Sequence, residues 1–150
     1  MRSFSDQAGH LDAVAICLDA VRACQSLRAD YWLQDGFEHI LHALFAIACK
    51  NTAEGKTARA RFIQLGGLPL LMEVLGDGSA NVRPSIVVYK VCLVLFSLAK
   101  AVDSAHAVRA LSAAAKDAIR QSLRVHAGAF NDVSWVKQKY SETLLRCLAD

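Results

Sequence analysis

Three segments of this chain end on nearly the same apolar phrase, and that recurrence constrains the fold more than any other feature. The segments are Leu44-Phe45-Ala46-Ile47-Ala48, Leu95-Phe96-Ser97-Leu98-Ala99 and Leu144-Leu145-Arg146-Cys147-Leu148-Ala149. Leu44 and Leu95 lie 51 positions apart, and Leu95 and Leu144 lie 49 apart. A phrase that returns at a near-constant interval marks one supersecondary unit repeated along the chain. Each long segment is separated from the next by two shorter helical stretches. A three-helix unit of this kind cannot bury its apolar face alone, so successive units stack.

Composition agrees with helices in one domain. The chain has 150 residues, of which 54% are hydrophobic, enough for a sizeable core. Alanine and leucine dominate, and the β-branched residues gather mostly in one stretch, which favours helix. Two prolines and eight glycines leave little room for long disordered segments.

Periodicity and caps place the elements. Ser5 or Asp6 caps a first helix reaching about Leu27, with Leu11, Val14, Ala15, Leu18 and Val21 at helical spacing. Arg28 to Gly36, holding Tyr31 and Trp32, connects it to a second helix from about Phe37 to Lys50. That helix is apolar on most sides and is expected at the centre. After a break at Asn51 to Gly55, a helix near Lys56 to Leu65 stops at the Gly66-Gly67 pair, since glycine takes the left-handed conformation that ends a helix. Leu68 to Leu75 is a short helix with Pro69 in its first turn, where the missing N–H costs nothing. Gly76-Asp77-Gly78 is a turn.

Asn81 then caps what reads as the longest helix, with Pro84 in its first turn and its end near Ala101. Its Ile86-Val87-Val88 run would suit a strand, but length and flanking caps decide for helix. Helices at about Ser104 to Ala114 and Lys116 to Ala127 precede a turn at Gly128, and Asn131 or Asp132 caps one last helix. The units fall roughly at 5–51, 52–101 and 102–150.

The stretch Phe62-Ile63-Gln64-Leu65-Gly66-Gly67-Leu68-Pro69-Leu70-Leu71 and the helix end Leu93 to Ala99 resemble the armadillo repeat family over Ala58 to Lys100. In that family a Gly-Gly or Gly-Ala pair precedes a Leu-Pro or Ile-Pro helix start. The resemblance implies an all-α fold, a right-handed α-solenoid of about three armadillo-like helical repeats. It also implies a non-enzymatic interaction module or scaffold that binds a peptide or helix on the surface lined by the long third helices. The implied groove positions are Glu38, His42, Tyr89, Leu93, Lys139, Glu142 and Arg146. Importin-type members use a Trp and an Asn four residues later. The matching positions are His42 and Ala46, Leu93 and Ser97, and Glu142 and Arg146, so a nuclear-signal receptor is not expected. The first unit lacks a short first helix, the third lacks the Gly-Gly turn, and the interval exceeds the roughly 40–47 residues of this class. A HEAT-like or irregular helical array is the alternative.

Motifs for chemistry are sparse. Gly55-Lys56-Thr57 is similar to the end of a phosphate-binding loop, but the pattern needs a glycine where Lys50 stands and a strand before it. His39 and His42 share a helix face, with no third ligand evident and no glutamate between histidines four apart. No Gly-x-Ser-x-Gly elbow occurs, and no carboxylates cluster. The five cysteines, Cys17, Cys24, Cys49, Cys92 and Cys147, form no Cys-x-x-Cys pair. Their apolar contexts and odd number suit reduced core thiols in a cytoplasmic protein. No catalytic residue, metal or cofactor is expected.

Charge points to partners only weakly. The net charge of +3 is mild. Lys116, Arg120 and Arg124 recur every four residues on one helix face, and Lys56, Arg59 and Arg61 form a smaller group. A second reading is therefore a basic helical-repeat module for nucleic acid or an acidic partner, in which Lys137 and Lys139 join the first group. Against it, Asp117 interrupts the stripe and no aromatics interleave, as on a solvated face. The N-terminus lacks a secretory apolar run. The longest apolar stretch, Ile86 to Leu98, is broken by Lys90 and Ser97 and is too short to span a bilayer. The last helix, with Trp135, Tyr140, Leu144, Leu145 and Leu148, either ends the fold or pairs with a second copy as a homodimer.

Overall fold

The computed structural model describes residues 4–27, 31–33, 36–76 and 83–149. The three helices that carry the recurring phrase lie in a row through its centre. Helix α2 (Phe37–Ala48) packs along α5 (Ser85–Lys100), and α5 packs against α9 (Tyr140–Ala149). Every side chain from Val91 to Ala99 of α5 is buried. A helix flanked on both sides has no solvent face, which is why this run carries no charge. Leu44, Leu95 and Leu144, the first residues of the recurring phrase, are all at most 1% exposed, and Ala48, Ala99 and Leu148 are buried four residues further on. The recurrence thus marks the part of each long helix that enters the core. Each buried leucine contributes about 1.5–3 kcal/mol by leaving water.

The remaining helices flank this row. α1 (Phe4–Leu27) packs on α2 and α3 (Ala53–Gln64), α3 on α4 (Gly67–Leu75), and α4 on α7 (Ala113–Val125). α6 (Ala105–Arg109) packs on both α5 and α9, and α8 (Val133–Lys137) leads into α9. One contiguous apolar core runs from Val14 on α1 to Leu148 on α9. The fold is all-α, with no strand among the described residues, and no helix is long and apolar enough to cross a membrane.

Local chemistry explains most boundaries. Thr52, Ser112 and Asp132 each cap a helix by accepting a hydrogen bond from the backbone N–H three residues on, at 3.1–3.2 Å. The Gly66-Gly67 pair serves two needs. Gly66 has φ 77°, and a Cβ on Gly67 would fall 2.6 Å from the Phe62 ring. Other boundaries differ from the sequence reading. α1 begins before Ser5 and Asp6, so neither caps it, and Asn81 lies outside the described residues. The longest helix is α1 with 24 residues; α5 has 16, because Pro84 stays extended at ψ 140° and takes the cap position. Thr52 starts α3 at Ala53, inside the expected break. α6 stops at Arg109, because Ser112 opens a new helix at Ala113. The single last helix is two, α8 and α9, parted where Lys139 adopts φ 55°.

Arginines close several helix ends. The last carbonyls of a helix lack intrahelical partners and carry its partial negative charge, so a guanidinium satisfies both. Arg22 donates to Leu65 O at 2.6 Å, Arg83 to Val74 O at 3.0 Å, and Arg120 to Leu148 O at 3.0 Å. Arg59 is the most enclosed, at 4% exposure. It donates to Ala48 O and Lys50 O at 2.8 Å and grips both oxygens of Asp103 at 3.0 Å. Those hydrogen bonds hold the Asp103 carboxyl below its usual range. Arg59 therefore leaves the expected basic group of Lys56 and Arg61 and serves as an internal clasp.

Candidate binding groove

The sequence of α7 separates an apolar from a basic face. Ala118, Ile119 and Leu123 are buried, while Arg120 and Arg124 face outward. A single tight turn, Ala127–Ala129, then reverses the chain and drives Phe130 into the core. Asp132 caps α8, and its five residues Val133-Ser134-Trp135-Val136-Lys137 include three large apolar side chains. So short a helix buries only one of them, Trp135, at 4% exposure. Val136 is left 66% exposed. After the Lys139 break, α9 presents Glu142 and Leu145, the latter 40% exposed.

Between α7 and the α8–α9 arm lies an open groove of about 510 Å³. Leu123, Phe130 and Trp135 lie at its base, Val136 and Leu145 reach into it, and Arg120, Arg124, Lys139 and Glu142 line its charged parts. An aromatic layer supports that base. Tyr89, Phe130 and Trp135 have centroids 5.1, 5.5 and 5.4 Å apart, and Trp135 meets Tyr140 edge-on at 5.4 Å. Tyr140 in turn stacks on Phe96 of α5 at 4.0 Å. Offset and edge-to-face pairs of this kind add stabilisation beyond buried area. Burial, with the Asp132 carboxylate nearby, pushes the Tyr89 hydroxyl up to about 12. A second cleft, about 700 Å³, lies on the other side of Arg120 and Arg124, between α7 and the end of α4.

The expected groove residues separate. Lys139 and Glu142 line the groove, and Arg146 binds Glu142 at 3.3 Å. Tyr89 belongs to the aromatic layer beneath it. Leu93 is 3% exposed, enclosed within the central helix, and so lines no surface, contrary to expectation. Glu38 stands half-buried in the first turn of α2. His42 is exposed, with its Nδ1 3.0 Å from Lys90 Nζ, and burial followed by the Lys90 charge keeps its pKa below the usual value. The sequence reading missed Leu123 and Val136, and named Trp135 and Leu145 only as apolar residues of the last helix through which a second copy could pair. The signal for Val136 depends on the break after Lys137, which leaves an Asp-capped helix of five residues that buries only one of its three large apolar side chains.

The basic stripe is partly neutralised. Arg120 is bound to Asp117 at 2.8 Å, and Arg124 hydrogen-bonds the neutral side chain of Gln121. Lys139 joins these two arginines in the groove lining, while Lys116 and Lys137 are not part of it.

Other chemistry finds structural explanations. Gly55 sits in the first turn of α3, where a Cβ would lie 1.9 Å from the Lys50 carbonyl oxygen, so close approach accounts for this glycine. Among the described residues no three His, Cys, Asp or Glu side chains converge to hold a metal. Cys92 and Cys147 are buried, but Cys17, Cys24 and Cys49 are only half-buried, less than expected; none of the five forms a disulfide. Burial pushes the Cys92 thiol up to about 12. Ser85 Oγ lies 2.8 Å from Nδ1 of His126, whose pKa burial lowers. Nucleophilic catalysis needs a third group to orient the base. Among the described residues no carboxylate bonds the His126 ring, and the contact ties the start of α5 to the end of α7. No family model, curated protein or solved structure matches this chain.

Proposed function

We propose that this chain is a non-enzymatic protein-binding module of the cytoplasm, built as a right-handed α-solenoid of about three armadillo-like repeats in one domain. The α7–α9 groove is its contact surface. The observation that carries this reading is the pair Val136 and Leu145, exposed over an aromatic base beside cationic side chains. Apolar side chains gathered in a polar-rimmed depression mark interaction surfaces more than isolated ones do. The row α2–α5–α9 and the buried leucines at a near-constant interval support the repeat architecture. Cysteines that form no disulfide suit a reducing compartment. Nucleic acid is the weaker partner: Arg120 is already neutralised by Asp117, and the rings at the groove base, Phe130 and Trp135, are buried, which leaves little face for a base to stack on.

Selection from a random displayed peptide library tests the proposal. Selected peptides are expected to bind the intact chain and to weaken at least about tenfold, about 1.4 kcal/mol, on Val136→Glu or Leu145→Glu. Val102→Glu, at a fully exposed turn after α5, serves as the control that leaves binding unchanged. Selected peptides that ignore both groove variants, or a selection that yields no binder, overturn the reading.

A further inference from the structure

We infer that the occupant of this groove is an acidic amphipathic helix of another protein, with apolar residues three or four apart and Asp or Glu beside them. The inference rests on the protein-binding reading and adds the chemistry of the partner. Charge is the first argument. Arg120, Arg124 and Lys139 line the groove against one carboxylate, Glu142. Glu142 is engaged by Arg146, and Arg120 by Asp117. Arg124 on α7 and Lys139 at the α8–α9 break have no carboxylate partner among the described residues. A ligand entering between them meets positive charge from both walls over an apolar base, and an acid-flanked apolar stripe is the complement.

Backbone chemistry is the second argument. Both walls are helices, which present no row of free N–H and C=O groups, so the groove has no edge on which a strand could add. An extended peptide would set its own unpaired amides against Leu123, Trp135 and Leu145, at a cost for each one buried. A helix arrives with its backbone satisfied and offers side chains at three- and four-residue spacing. Its shape also suits an open groove better than a small molecule, which is bound by enclosure of most of its surface. A second copy of the chain fits less well. A two-fold pairing through this groove places Arg124 and Lys139 of one copy near the same cations of the other.

Fluorescence anisotropy with three synthetic helical peptides tests the assignment. Each has about 18 residues, five helical turns, with leucines on one stripe and Glu, Gln or Lys flanking it. The Glu peptide is expected to bind the intact chain at least tenfold more tightly than the Gln peptide at about 50 mM salt, and the Lys peptide least of all. The advantage should shrink at about 500 mM salt, where charges are screened within a few ångströms. The double variant Arg124→Glu/Lys139→Glu should prefer the Lys peptide, and Leu145→Glu should lose all three, with circular dichroism confirming that each variant keeps its helices. Equal binding of Glu and Gln peptides that Leu145→Glu abolishes overturns the acidic partner and leaves the protein-binding groove standing. Binding by none of the peptides, or binding indifferent to Leu145→Glu, overturns the inference, while the library selection judges the broader reading separately. Self-association that Leu145→Glu abolishes assigns the groove to a second copy instead.

Discussion

The two junctions in the row of long helices are finished differently. Between α2 and α5 the packing is mainly aliphatic, with Leu41, Leu44 and Ala48 buried on α2. Its far end is shut by Arg59, which joins Ala48 O, Lys50 O and Asp103. Between α5 and α9 the space is filled by rings: Tyr89 and Phe96 from α5 meet Phe130, Trp135 and Tyr140. The same buried leucine, Leu44 or Leu144, anchors α2 and α9, the outer helices of the two junctions. What differs is the surroundings. A charged clasp with four hydrogen bonds closes one junction; an aromatic layer supports the other and leaves a groove beside it. Function is therefore expected at the second junction, and stability at the first.

The largest expected effect breaks the first junction. Arg59→Ala removes a guanidinium with four hydrogen bonds to protein and leaves Asp103 and the carbonyls of Ala48 and Lys50 without it. Breaking such an enclosed pair costs about 3–5 kcal/mol, reduced toward the lower figure because Asp103 keeps a quarter of its side chain in water. Urea unfolding followed by circular dichroism measures it. A loss below about 1 kcal/mol, the range of an exposed pair, would show that the clasp does not hold the first junction and would dissolve the contrast.

Much of this architecture was legible and the clasp was not. The recurring phrase exposed these three helices because leucines at one interval keep one role, and the cap at Asp132, one of the two residues expected there, followed from turn chemistry that is local, whereas Pro84, expected inside the first turn of α5, takes the cap position. Arg59 looked like a surface residue beside Lys56 and Arg61, because its partner Asp103 stands 44 residues away and no local rule links them. Leu93 was placed in a groove for a related reason. Its position within a repeat unit suggested exposure, whereas burial on both sides of α5 depends on the next unit. The α8–α9 break escaped notice because Gln138-Lys139 carries neither glycine nor proline, the residues that usually announce a helix end. Without that break, Val136 and Lys139 could not be assigned to one groove.

A smaller effect separates the junctions by pH. His42, beside Lys90 on the first, and His126, against Ser85 and Phe130 near the second, both have folded-state pKa values below the ordinary 6.5. Burial comes first as the cause in each, and the Lys90 charge adds to it for His42. A depressed folded pKa means that the unfolded chain binds the proton first. Stability is therefore fully present above about 6.5 and falls as the pH drops through and below that value. Urea midpoints at pH 7.5 and pH 5 should show the decline. His126→Gln and His42→Gln should each flatten it, and the larger flattening identifies the junction more sensitive to charge. A stability profile flat between those pH values in the unaltered chain contradicts both environments.

The smallest effect concerns backbone strain at the second junction. Gly36 before α2 and Gly66 before α4 take left-handed conformations at φ 86° and 77°, which glycine adopts without steric penalty. Before α9 the same region is occupied by Lys139 at φ 55°, where an L side chain costs about 1–2 kcal/mol. Lys139→Gly relieves that strain but enlarges the unfolded ensemble, which takes back about 0.4–1 kcal/mol. The net expectation is a gain of about 0.5 kcal/mol or slightly more, read as a small rise in thermal midpoint. Lys139→Ala keeps the strain and gains nothing. Lysine is a poor choice for this backbone and a good one for the groove, which its charge lines. Lys139→Gly should therefore stabilise the fold while weakening the acidic helical peptide, a trade expected where a binding residue holds a strained position. A variant that is more stable and binds that peptide unchanged would show that the lysine contributes nothing to the groove, and the second junction would lose one of its two unpaired cations.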